Sequence, residues 1–387
     1  MTFDAVIVGG GIVGTACALA FSRQGMRVAL VERAEIGAGA TAAAMGHIVV
    51  LDDSPAQLAL TRYSQKLWHQ LASELPPDAE YTQRGTLWVA ADDEEMQEVR
   101  RKHGVYKEHG ISSELIDTRV LARTEPALRR GLAGGLLMHE DAVVAPQVAA
   151  RFLLNQALAG KVALIRETVA AMGSGRIVLS NGDELDAPIL VNAAGEWASQ
   201  LTPKLPVAKR KGHLAITDPY PGFLRYQVVE LGYLKSAHVT TTDSVACNVQ
   251  PRANGQLLIG SSRQYGVEGR EVEDKILARI FERAAEYLPA LPSLSIQRIW
   301  TGFRSATPDK LPLIGPSAED KTVFLATGHE GLGITTSLAT AQLLADLIGG
   351  RTPAIPIEPY LPSRLSRPAV ERALPPAPAC RGAHGLD

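Results

Sequence analysis

The sequence predicts an α/β fold in which a discontinuous Rossmann-like domain is interrupted by an inserted α+β domain built on an antiparallel sheet. Three observations predict it. The amino terminus alternates strand, glycine turn, helix and strand. The middle of the chain carries short extended runs and hairpin signals. Strand-then-glycine patterning returns near residues 189–195 and 323–333, so later parts of the chain are expected to complete the first domain.

Composition places the chain among ordinary globular proteins. Its 387 residues suffice for two or three domains at a prior of about 150 residues each. Hydrophobic residues make up 46% and charged residues 21%, which excludes disordered and coiled-coil classes. Lys and Arg number 39 against 41 Asp and Glu, a formal charge of −2. The chain therefore lacks the basic field that nucleic-acid binding requires.

Cysteine usage and hydropathy indicate the compartment. Cys17, Cys247 and Cys380 are odd in number and far apart, without the paired spacing of metal or disulfide frameworks, so we expect no metal and a reducing, cytoplasmic location. The apolar stretch 7–21 follows the acidic Asp4 and contains glycines, which favours a strand and turn over a signal peptide. No apolar run reaches about 18 residues, which excludes a spanning helix and leaves peripheral contact with the inner membrane open.

The first two helices have clear local signals. A βαβ unit is predicted from a strand over 5–8, a helix over 12–24 and a strand over 28–31. Ser54 is a favourable N-cap and Pro55 suits the first helical position, so a helix is expected from there to about residue 75.

The middle of the chain is predicted to form the inserted domain. Its extended runs are 86–90, 135–138 and 213–217. The elements that follow, a helix over 146–159, a hairpin at Asn181-Gly182 between 176–179 and Leu185, and a strand over 189–192, are assigned to the first domain. The strongest hairpin signal is Asn254-Gly255 between 245–251 and 257–261, because Asn-Gly tolerates the positive φ of a type I′ turn.

The last elements complete the predicted domain map. We expect a helix over 271–287, strands over 296–303 and 323–326, a second glycine turn at Gly328, Gly331 and Gly333, and a closing helix over 335–348. The core is predicted to end near Gly350, leaving 351–387 as a proline-rich, partly disordered tail. The first domain is assigned to 1–83, 145–210 and 296–350, and the inserted substrate domain to 84–144 and 211–295.

The glycine turn at the amino terminus carries the most specific chemistry. Gly9 to Gly14 match G-x-G-x-x-G between a predicted strand and a predicted helix. Gly9 permits the tight turn, Gly11 lets backbone N–H groups reach a pyrophosphate, and Gly14 lets the helix pack on the strand. Glu32 ends the second strand, where a carboxylate accepts hydrogen bonds from a ribose diol. These residues predict a dinucleotide site.

The identity of the dinucleotide is only partly readable from this turn. Glu32 would repel a 2′-phosphate, so NADP is disfavoured, and Arg33 is interpreted as an adenine-side or surface residue. The fingerprint does not separate FAD from NAD.

Five separated stretches carry a family resemblance. They are VIVGGGIVG with VALVER, then GAGATAAAMGHI, VNAAGEWA, VQPRANGQLLIGSS, and WTGFRSATPDKLPLIGP with FLATGHEGLGITTSLATAQLLADLI. In this order they resemble the D-amino-acid oxidase-like family of FAD-dependent oxidoreductases, over residues 3–350. Within the family the sequence is most similar to bacterial D-amino-acid dehydrogenases and glycine oxidase-like enzymes, particularly those acting on D-proline or cis-4-hydroxy-D-proline.

The resemblance implies a set of FAD-binding residues. They are Gly9, Gly11, Ile12, Val13, Gly14, Glu32, Arg33, Thr41, Met45, Gly46, His47, Val169, Ala194, Gly195, Gly331, Leu332, Gly333, Ile334 and Thr335. Val169 is implied at the adenine, and Gly331 to Ile334 bring a helix amino terminus to the flavin's pyrimidine side, unless they form a plain helix entrance. The alanine run 42–44 and His47 depart from the family pattern, so His47 is either a flavin neighbour or a packing residue.

The resemblance also implies the substrate residues. Arg304 ends a predicted strand where the family places an arginine that pairs with the substrate carboxylate, and a structural ion pair is the alternative. Asn248 stands where glycine oxidase-like relatives carry a substrate-contacting tyrosine. Tyr265, expected just beyond the second hairpin strand, is the alternative contact. His329 either lines the pocket or packs.

The implied reaction is FAD-dependent oxidation of a D-amino acid, plausibly cyclic, to its imine, with hydride transfer from Cα to flavin N5. Two alternatives stay open: a glycine-, sarcosine- or glycerol-phosphate-type oxidoreductase, and a flavin-bearing electron-transfer subunit. The electron acceptor is oxygen, a quinone or a partner subunit. The chain is accordingly an oxidase or a dehydrogenase, and a homo-oligomer or a subunit of a hetero-oligomeric dehydrogenase.

Overall fold

A computed structural model describes residues 2–232 and 243–365. Its strands are β1 (Ala5–Val8), β2 (Val28–Val31), β3 (His47–Ile48), β4 (Thr86–Ala90), β5 (Glu114–Asp117), β6 (Gly134–Met138), β7 (Ala142–Val143), β8 (Val162–Ile165), β9 (Val169–Gly173), β10 (Arg176–Leu179), β11 (Glu184–Asp186), β12 (Ile189–Asn192), β13 (Ala208–Thr217), β14 (Gln227–Glu230), β15 (Ser244–Pro251), β16 (Leu257–Tyr265), β17 (Ile296–Ala306), β18 (Leu313–Pro316) and β19 (Val323–Thr327). Its α-helices are α1 (Ile12–Arg23), α2 (Pro55–Leu71), α3 (Asp93–Glu108), α4 (Thr118–Thr124), α5 (Pro146–Leu158), α6 (Ala198–Leu201), α7 (Asp274–Tyr287) and α8 (Gly333–Ile348).

The first sheet has six strands in the order β18-β19-β12-β1-β2-β8. All its pairs are parallel except β18 with β19. Strands β1 and β2 are buried throughout, as their continuous apolar runs predict for a parallel sheet covered on both faces. The carboxyl ends of β1, β2 and β12 therefore meet at one edge, where ligands of open α/β sheets bind.

The predicted βαβ unit is confirmed, with both strands at the expected bounds and α1 one residue shorter. Gly14 is required for its packing, because a Cβ there would lie 1.8 Å from the Gly9 carbonyl oxygen. The cap of α2 is also confirmed: the Ser54 side chain accepts from the Gln57 amide at 3.1 Å. The helix ends at Leu71 and continues as a short 3₁₀ turn, Ala72–Glu74.

The second sheet has eight strands in the order β17-β13-β16-β15-β14-β4-β6-β5. The Asn254-Gly255 hairpin joins β15 and β16 in antiparallel register, with Gly255 at φ 87°. One pair, β14 with β4, is parallel, so the sheet expected to be antiparallel is mixed. Strand β16 runs to Tyr265, which ends the strand rather than following it.

Sheet membership changes two predicted boundaries. Strand β17 was expected in the dinucleotide domain but pairs along its length with β13 of the eight-stranded sheet. Residues 296–306 therefore belong with the second sheet, and β13 crosses the predicted boundary at 210/211. The cause is non-local: an apolar strand pattern does not reveal which distant strand supplies its hydrogen-bonding partners.

The core extends beyond Gly350, which corrects the prediction that it ends there. Tyr360 is 1% exposed, and its hydroxyl donates to the Ala56 carbonyl at 2.6 Å. Ile357 packs in the same cluster. These two residues, together with the ion pair of Arg364 with Asp309, dock the segment although it is rich in proline. The rest of the predicted tail, 366–387, with Cys380, lies outside the described residues.

Within residues 2–232 and 243–365, no helix has the length and hydropathy needed to cross a bilayer. The same ranges contain no group of three His, Cys, Asp or Glu side chains able to hold a metal ion. Cys17 and Cys247 are buried free thiols, and burial raises the pKa of both.

Candidate active site

A cavity of about 350 Å³ is lined by the carboxyl edge of the six-stranded sheet and by four strands of the eight-stranded sheet. Its volume is within the usual range for ligand sites, about 300 to 1,000 Å³. The structure brings most of the sequence-predicted residues to its wall: Gly9, Gly11, Ile12, Val13, Glu32, Arg33, Thr41, Met45, Gly46, His47, Val169, Ala194, Gly195, Asn248, Arg304, Gly331, Gly333 and Ile334.

Four predicted residues lie outside this wall. Gly14 packs α1 against the turn. The carbonyl of Leu332, the N-cap residue of α8, accepts from the Thr336 amide at 2.9 Å. Thr335 ties β3 to α8, because its hydroxyl donates to the His47 carbonyl at 2.8 Å. Tyr265 lies behind the cavity wall, as described below.

The amino-terminal turn has the shape that a diphosphate needs. Gly9 has φ 111°, and a Cβ there would lie 2.6 Å from the Ala193 carbonyl oxygen, so the turn requires glycine. The Gly11 N-cap of α1 has no side-chain cap, and no acidic residue stands in the first helical turn. The positive end of the helix therefore faces the cavity with no carboxylate in its own first turn to offset it.

Glu32 braces this turn. Its carboxylate accepts from the amides of Gly10 at 2.6 Å and Ala34 at 2.7 Å. Thr41 braces the other side, since its hydroxyl accepts from the Ile12 amide at 3.1 Å. The residues present therefore fit the diphosphate and ribose of a dinucleotide, with the acidic residue fixed beside the turn.

A second helix begins at the same cavity. Helix α8 starts at Gly333 after a glycine turn and, like α1, has neither a side-chain cap nor an acidic residue in its first turn. Gly331, Gly333 and Ile334 line the cavity at this point. Two helix amino termini with no acidic residue in their first turns thus contribute positive potential to one cavity, as a group that gains negative charge on reduction requires.

The Arg304 side chain extends from β17 across β13 to β16 in the eight-stranded sheet. It lies on β17, and its Nη1 donates to the Ser262 carbonyl, two strands away on β16, at 2.9 Å. The side chain crosses β13 above Gly212, where a Cβ would lie 2.6 Å from Nη1. A Cβ on Gly331 would lie 3.3 Å from Nε. Two glycines therefore make the space for this guanidinium.

The alanine run is explained by a close approach that the sequence did not reveal. A Cβ on Gly302 would lie 2.3 Å from the Cβ of Ala43. The Trp300 indole N–H donates to the Ala43 carbonyl at 3.4 Å. Small side chains at these positions let the 42–44 segment pack directly on β17, beside Arg304.

Asn248 and Tyr265, the two alternative substrate contacts, differ in position. Asn248 lines the cavity, is 6% exposed, and its Oδ1 has no hydrogen-bond partner among residues 2–232 and 243–365. Tyr265 does not line the cavity: its ring lies 4.4 Å from the Arg210 guanidinium, which also bonds its hydroxyl. Arg210 pairs in turn with Glu330 on the cavity wall. Tyr265 is thus separated from the cavity by an arginine.

Both cavity histidines are held neutral. The His47 Nδ1 lies 3.1 Å from the Gln227 amide nitrogen, and burial lowers the pKa of His47 to about 3. His329 lies 3.0 Å from the Thr340 hydroxyl, and burial lowers its pKa to about 4. Since both values are far below 7, neither imidazole is charged near neutral pH.

Two features of the wall are not among the residues predicted from the sequence. Glu330 stands inside the second glycine turn at φ 56° and pairs with Arg210, and burial raises the pKa of its carboxyl. Trp197 lies near the other end, with the Arg33 guanidinium 4.4 Å from its ring centroid. An acidic residue within GHEGLG and an aromatic residue directly after VNAAGE were the available signals.

The dinucleotide turn, the two helix termini and the guanidinium around one cavity fit a dinucleotide-dependent oxidoreductase. Residues 4–347 match the family described as FAD dependent oxidoreductase, DAO. The chain therefore belongs to this family, and the resemblance to D-amino-acid oxidase-like enzymes is confirmed.

Several relatives are similar along nearly their whole length. The hydrogen cyanide synthase subunit HcnC of Pseudomonas aeruginosa is 29% identical, over 94% of this chain and 96% of that protein. The glycine oxidase of Geobacillus kaustophilus is 28% identical, over 92% and 96%. The crystal structure of a glycine oxidase from that species superimposes with a TM-score of 0.84 at 26% identity, covering 94% of this chain and 99% of that one. An L-proline dehydrogenase from P. horikoshii, with a TM-score of 0.83 and 23% identity over 94% of this chain and 98% of that one, shares the fold.

Proposed function

We propose that this protein oxidises the Cα–N bond of a small D-amino acid, with cyclic substrates such as D-proline or cis-4-hydroxy-D-proline preferred, and yields the imine. The observation that carries this proposal is Arg304, a guanidinium on the wall of the FAD cavity with space made for it by Gly212 and Gly331. The similarity to proteins named glycine oxidase supports an amino acid as the substrate class.

Arg304 would bind the substrate carboxylate. A planar guanidinium holds a carboxylate through two parallel hydrogen bonds, which fixes the neighbouring Cα in distance and orientation. The bond from Nη1 to the Ser262 carbonyl restrains the guanidinium before substrate arrives. Such restraint reduces the entropy lost on reaching the reactive geometry.

The residues proposed to hold FAD are those on the cavity wall, with Gly14, Leu332 and Thr335 supporting them from behind. When bound, FAD would supply the two-electron acceptor for the hydride that leaves Cα. The α1 terminus would hold the diphosphate, and the α8 terminus would stabilise negative charge on the ring system.

The amine must be neutral for hydride to leave Cα. His47 and His329 are weak bases, because burial lowers the pKa of each to about 3 and about 4. We therefore propose that binding selects the neutral amine and that positioning supplies most of the rate enhancement. Asn248 is the favoured polar contact at the substrate end. Tyr265 would act through Arg210.

Anaerobic addition of candidate substrates to the purified yellow protein tests the proposal. We expect D-proline or cis-4-hydroxy-D-proline to bleach the flavin absorbance, and L-proline at equal concentration to do so much more slowly. Rapid bleaching by glycine or sarcosine alone would replace the cyclic D-amino acid with the simpler amine class. Bleaching by glycerol 3-phosphate alone would overturn an amino-acid substrate.

A second candidate function is an electron-transfer subunit whose FAD receives electrons from a partner. It is favoured by the similarity to HcnC, which is named as a subunit. Purified protein that binds FAD, resists every amino acid and is reduced by dithionite would support it. Reoxidation of the bleached protein by oxygen or by a soluble quinone then distinguishes an oxidase from a dehydrogenase. We propose that the protein acts in the cytoplasm.

A further inference from the structure

One arginine links the two halves of the molecule, which are the six-stranded and the eight-stranded sheets with their flanking segments, beside the FAD cavity. Arg270 lies in the segment 266–273, between β16 of the eight-stranded sheet and α7. Its guanidinium pairs with the carboxylate of Glu196, which follows β12 of the six-stranded sheet. Its backbone carbonyl accepts from the Thr301 hydroxyl at 2.5 Å, which fixes the segment to β17. Arg270 thus connects elements that face each other around the cavity.

The same guanidinium lies over two aromatic rings. Its distance is 5.7 Å from the Trp197 ring centroid and 5.3 Å from that of Phe303. A second guanidinium, Arg33, lies 4.4 Å from the Trp197 ring. Separations below about 6 Å are those of cation–π contacts. Trp197 is therefore held by cations from both halves of the molecule.

Trp197 is also held against the turn that follows Glu32 in the chain. A Cβ on Gly39 would lie 3.2 Å from the indole ring, so the ring packs directly on this backbone. Arg33, Gly39, Glu196, Trp197 and Phe303 all line the cavity. Since Glu32 and Gly9 mark the ribose and diphosphate positions, this cluster lies at the ADP end.

Glu196 is a buried carboxylate whose charged form depends on Arg270. It is 4% exposed, and burial is the largest influence on its carboxyl, raising the pKa, while Arg270 favours the charged form. A buried carboxylate without its cation is strongly unfavourable. The pair therefore resists separation of segment 266–273 from the six-stranded sheet.

We propose that Arg270, Glu196 and Trp197 form a clasp that retains FAD by joining the two halves of the protein over the ADP end of the cavity. FAD leaves when Arg270 separates from Glu196 and Trp197. The role is one of cofactor retention, and it rests on the FAD dependence of the family and not on the proposed substrate.

The experiment measures FAD release from holoenzyme diluted into flavin-free buffer, followed by the rise in fluorescence of the freed flavin. We expect Arg270→Ala to release FAD about tenfold faster or more, since it loses two cation–π contacts and a partly buried ion pair. Arg270→Lys keeps the charge toward Glu196 and loses the planar group, so its release rate should be intermediate. Glu268→Gln, an exposed position in the same segment that pairs with Lys209, is the matched control and should release FAD at the wild-type rate.

The melting temperature of the apoprotein distinguishes a role in FAD retention from a merely structural role. The double variant Arg270→Ala with Glu196→Gln removes the clasp without leaving a buried unpaired carboxylate. We expect its apoprotein to melt at a temperature close to that of wild-type apoprotein. The rise in melting temperature on adding FAD should be smaller than in wild type. Wild-type release rates in both Arg270→Ala and the double variant would overturn the clasp, as would equal losses of melting temperature in apo and holo forms.

Discussion

At the scale of single residues, the proposed substrate contact depends on glycines as much as on the arginine itself. Arg304 reaches Ser262 only because Gly212 has no side chain beneath the guanidinium. Gly331 clears the other side, near Nε. A sequence motif does not identify glycines whose role is to leave space for a distant side chain. Substitutions at Gly212 or Gly331 would therefore test the position of the arginine without changing its charge.

Removing the guanidinium should affect substrate use and leave FAD in place. Each charged hydrogen bond contributes about 1.5 to 3 kcal/mol, so Arg304→Ala is expected to lower kcat/KM on the order of a hundredfold or more. Steady-state kinetics with the substrate identified by bleaching checks this, and an unchanged visible spectrum is the control. Wild-type kinetics in this variant would eliminate Arg304 as the carboxylate contact.

Filling the space beneath Arg304 should reproduce much of that loss. A Cβ at residue 212 would lie 2.6 Å from Nη1 and displace the guanidinium, so Gly212→Ala is expected to raise KM and lower kcat/KM, by about tenfold or more. Gly104→Ala is the matched control, because nothing lies within 4 Å of its added Cβ on helix α3. The control should keep wild-type kinetics and gain up to about 1 kcal/mol of stability. Equal kinetics in both variants would contradict the crowding argument.

At the scale of elements, Asp141 joins four segments through one buried carboxyl. Its Oδ1 accepts from the Val50 amide at 3.3 Å and from the Gln65 amide group, on α2, at 3.0 Å. Burial raises the pKa of Asp141 to about 7, while the hydrogen bonds from Val50 and Gln65 and the nearby Thr86 hydroxyl oppose the shift. Strand β4, the β6–β7 turn, the 49–52 segment and α2 therefore meet at a carboxyl that resists ionisation.

This shift has a definite sign for stability. The folded pKa lies above the unfolded value of 3.8, so the folded state retains the proton more strongly. The resulting stabilisation is fully present below about pH 4 and is lost as the pH rises through about 7.

Asp141→Asn should therefore be more stable than wild type above pH 8, on the order of 2 kcal/mol, and the difference should shrink toward pH 5. Urea unfolding across this pH range measures it. A difference that does not vary with pH would contradict the assigned titration.

At the scale of the whole molecule, the chain closes on itself through its later segments. Helix α8 packs against α1 and α2, and residues 351–365 return to the same core through Ile357 and Tyr360. The two sheets meet around the cavity through β17 and through the Arg270 contacts. The cofactor site is therefore assembled from parts of the chain separated by hundreds of residues.

Tyr360 tests this closure. Tyr360→Ala removes a fully buried aromatic side chain and should cost about 3 to 5 kcal/mol of unfolding free energy. Tyr360→Phe loses only the hydrogen bond to the Ala56 carbonyl and should cost about 1 kcal/mol. Thermal or urea unfolding of both variants, with FAD added in excess, makes the comparison. A Tyr360→Ala protein as stable as wild type would show that the segment contributes nothing to the core.

Structural features that depend on neighbouring residues could be predicted from the sequence, and features that depend on distant contacts could not. Strands β1, β2, β4, β10 and β12 match their predicted bounds, because apolar runs between turn residues specify them locally. Strand β17 was recognised as a strand but placed with the wrong sheet, since its pairing with β13 is set some 90 positions away in the chain. Arg304 was predicted as the substrate contact through a family motif, whereas nothing near residue 212 in the sequence indicates that it lies beneath that arginine.

The amino-acid sequence alone determined the family, the dinucleotide turn, the hairpins and the residue types at the site, because these depend on spacing between neighbours and on backbone preferences. The tertiary structure alone decided which sheet holds β17, that Tyr265 lies behind Arg210, and that Arg270 reaches Glu196 across the two halves. Contacts of this second kind form between side chains that the chain brings together only after it has folded, so no local pattern encodes them.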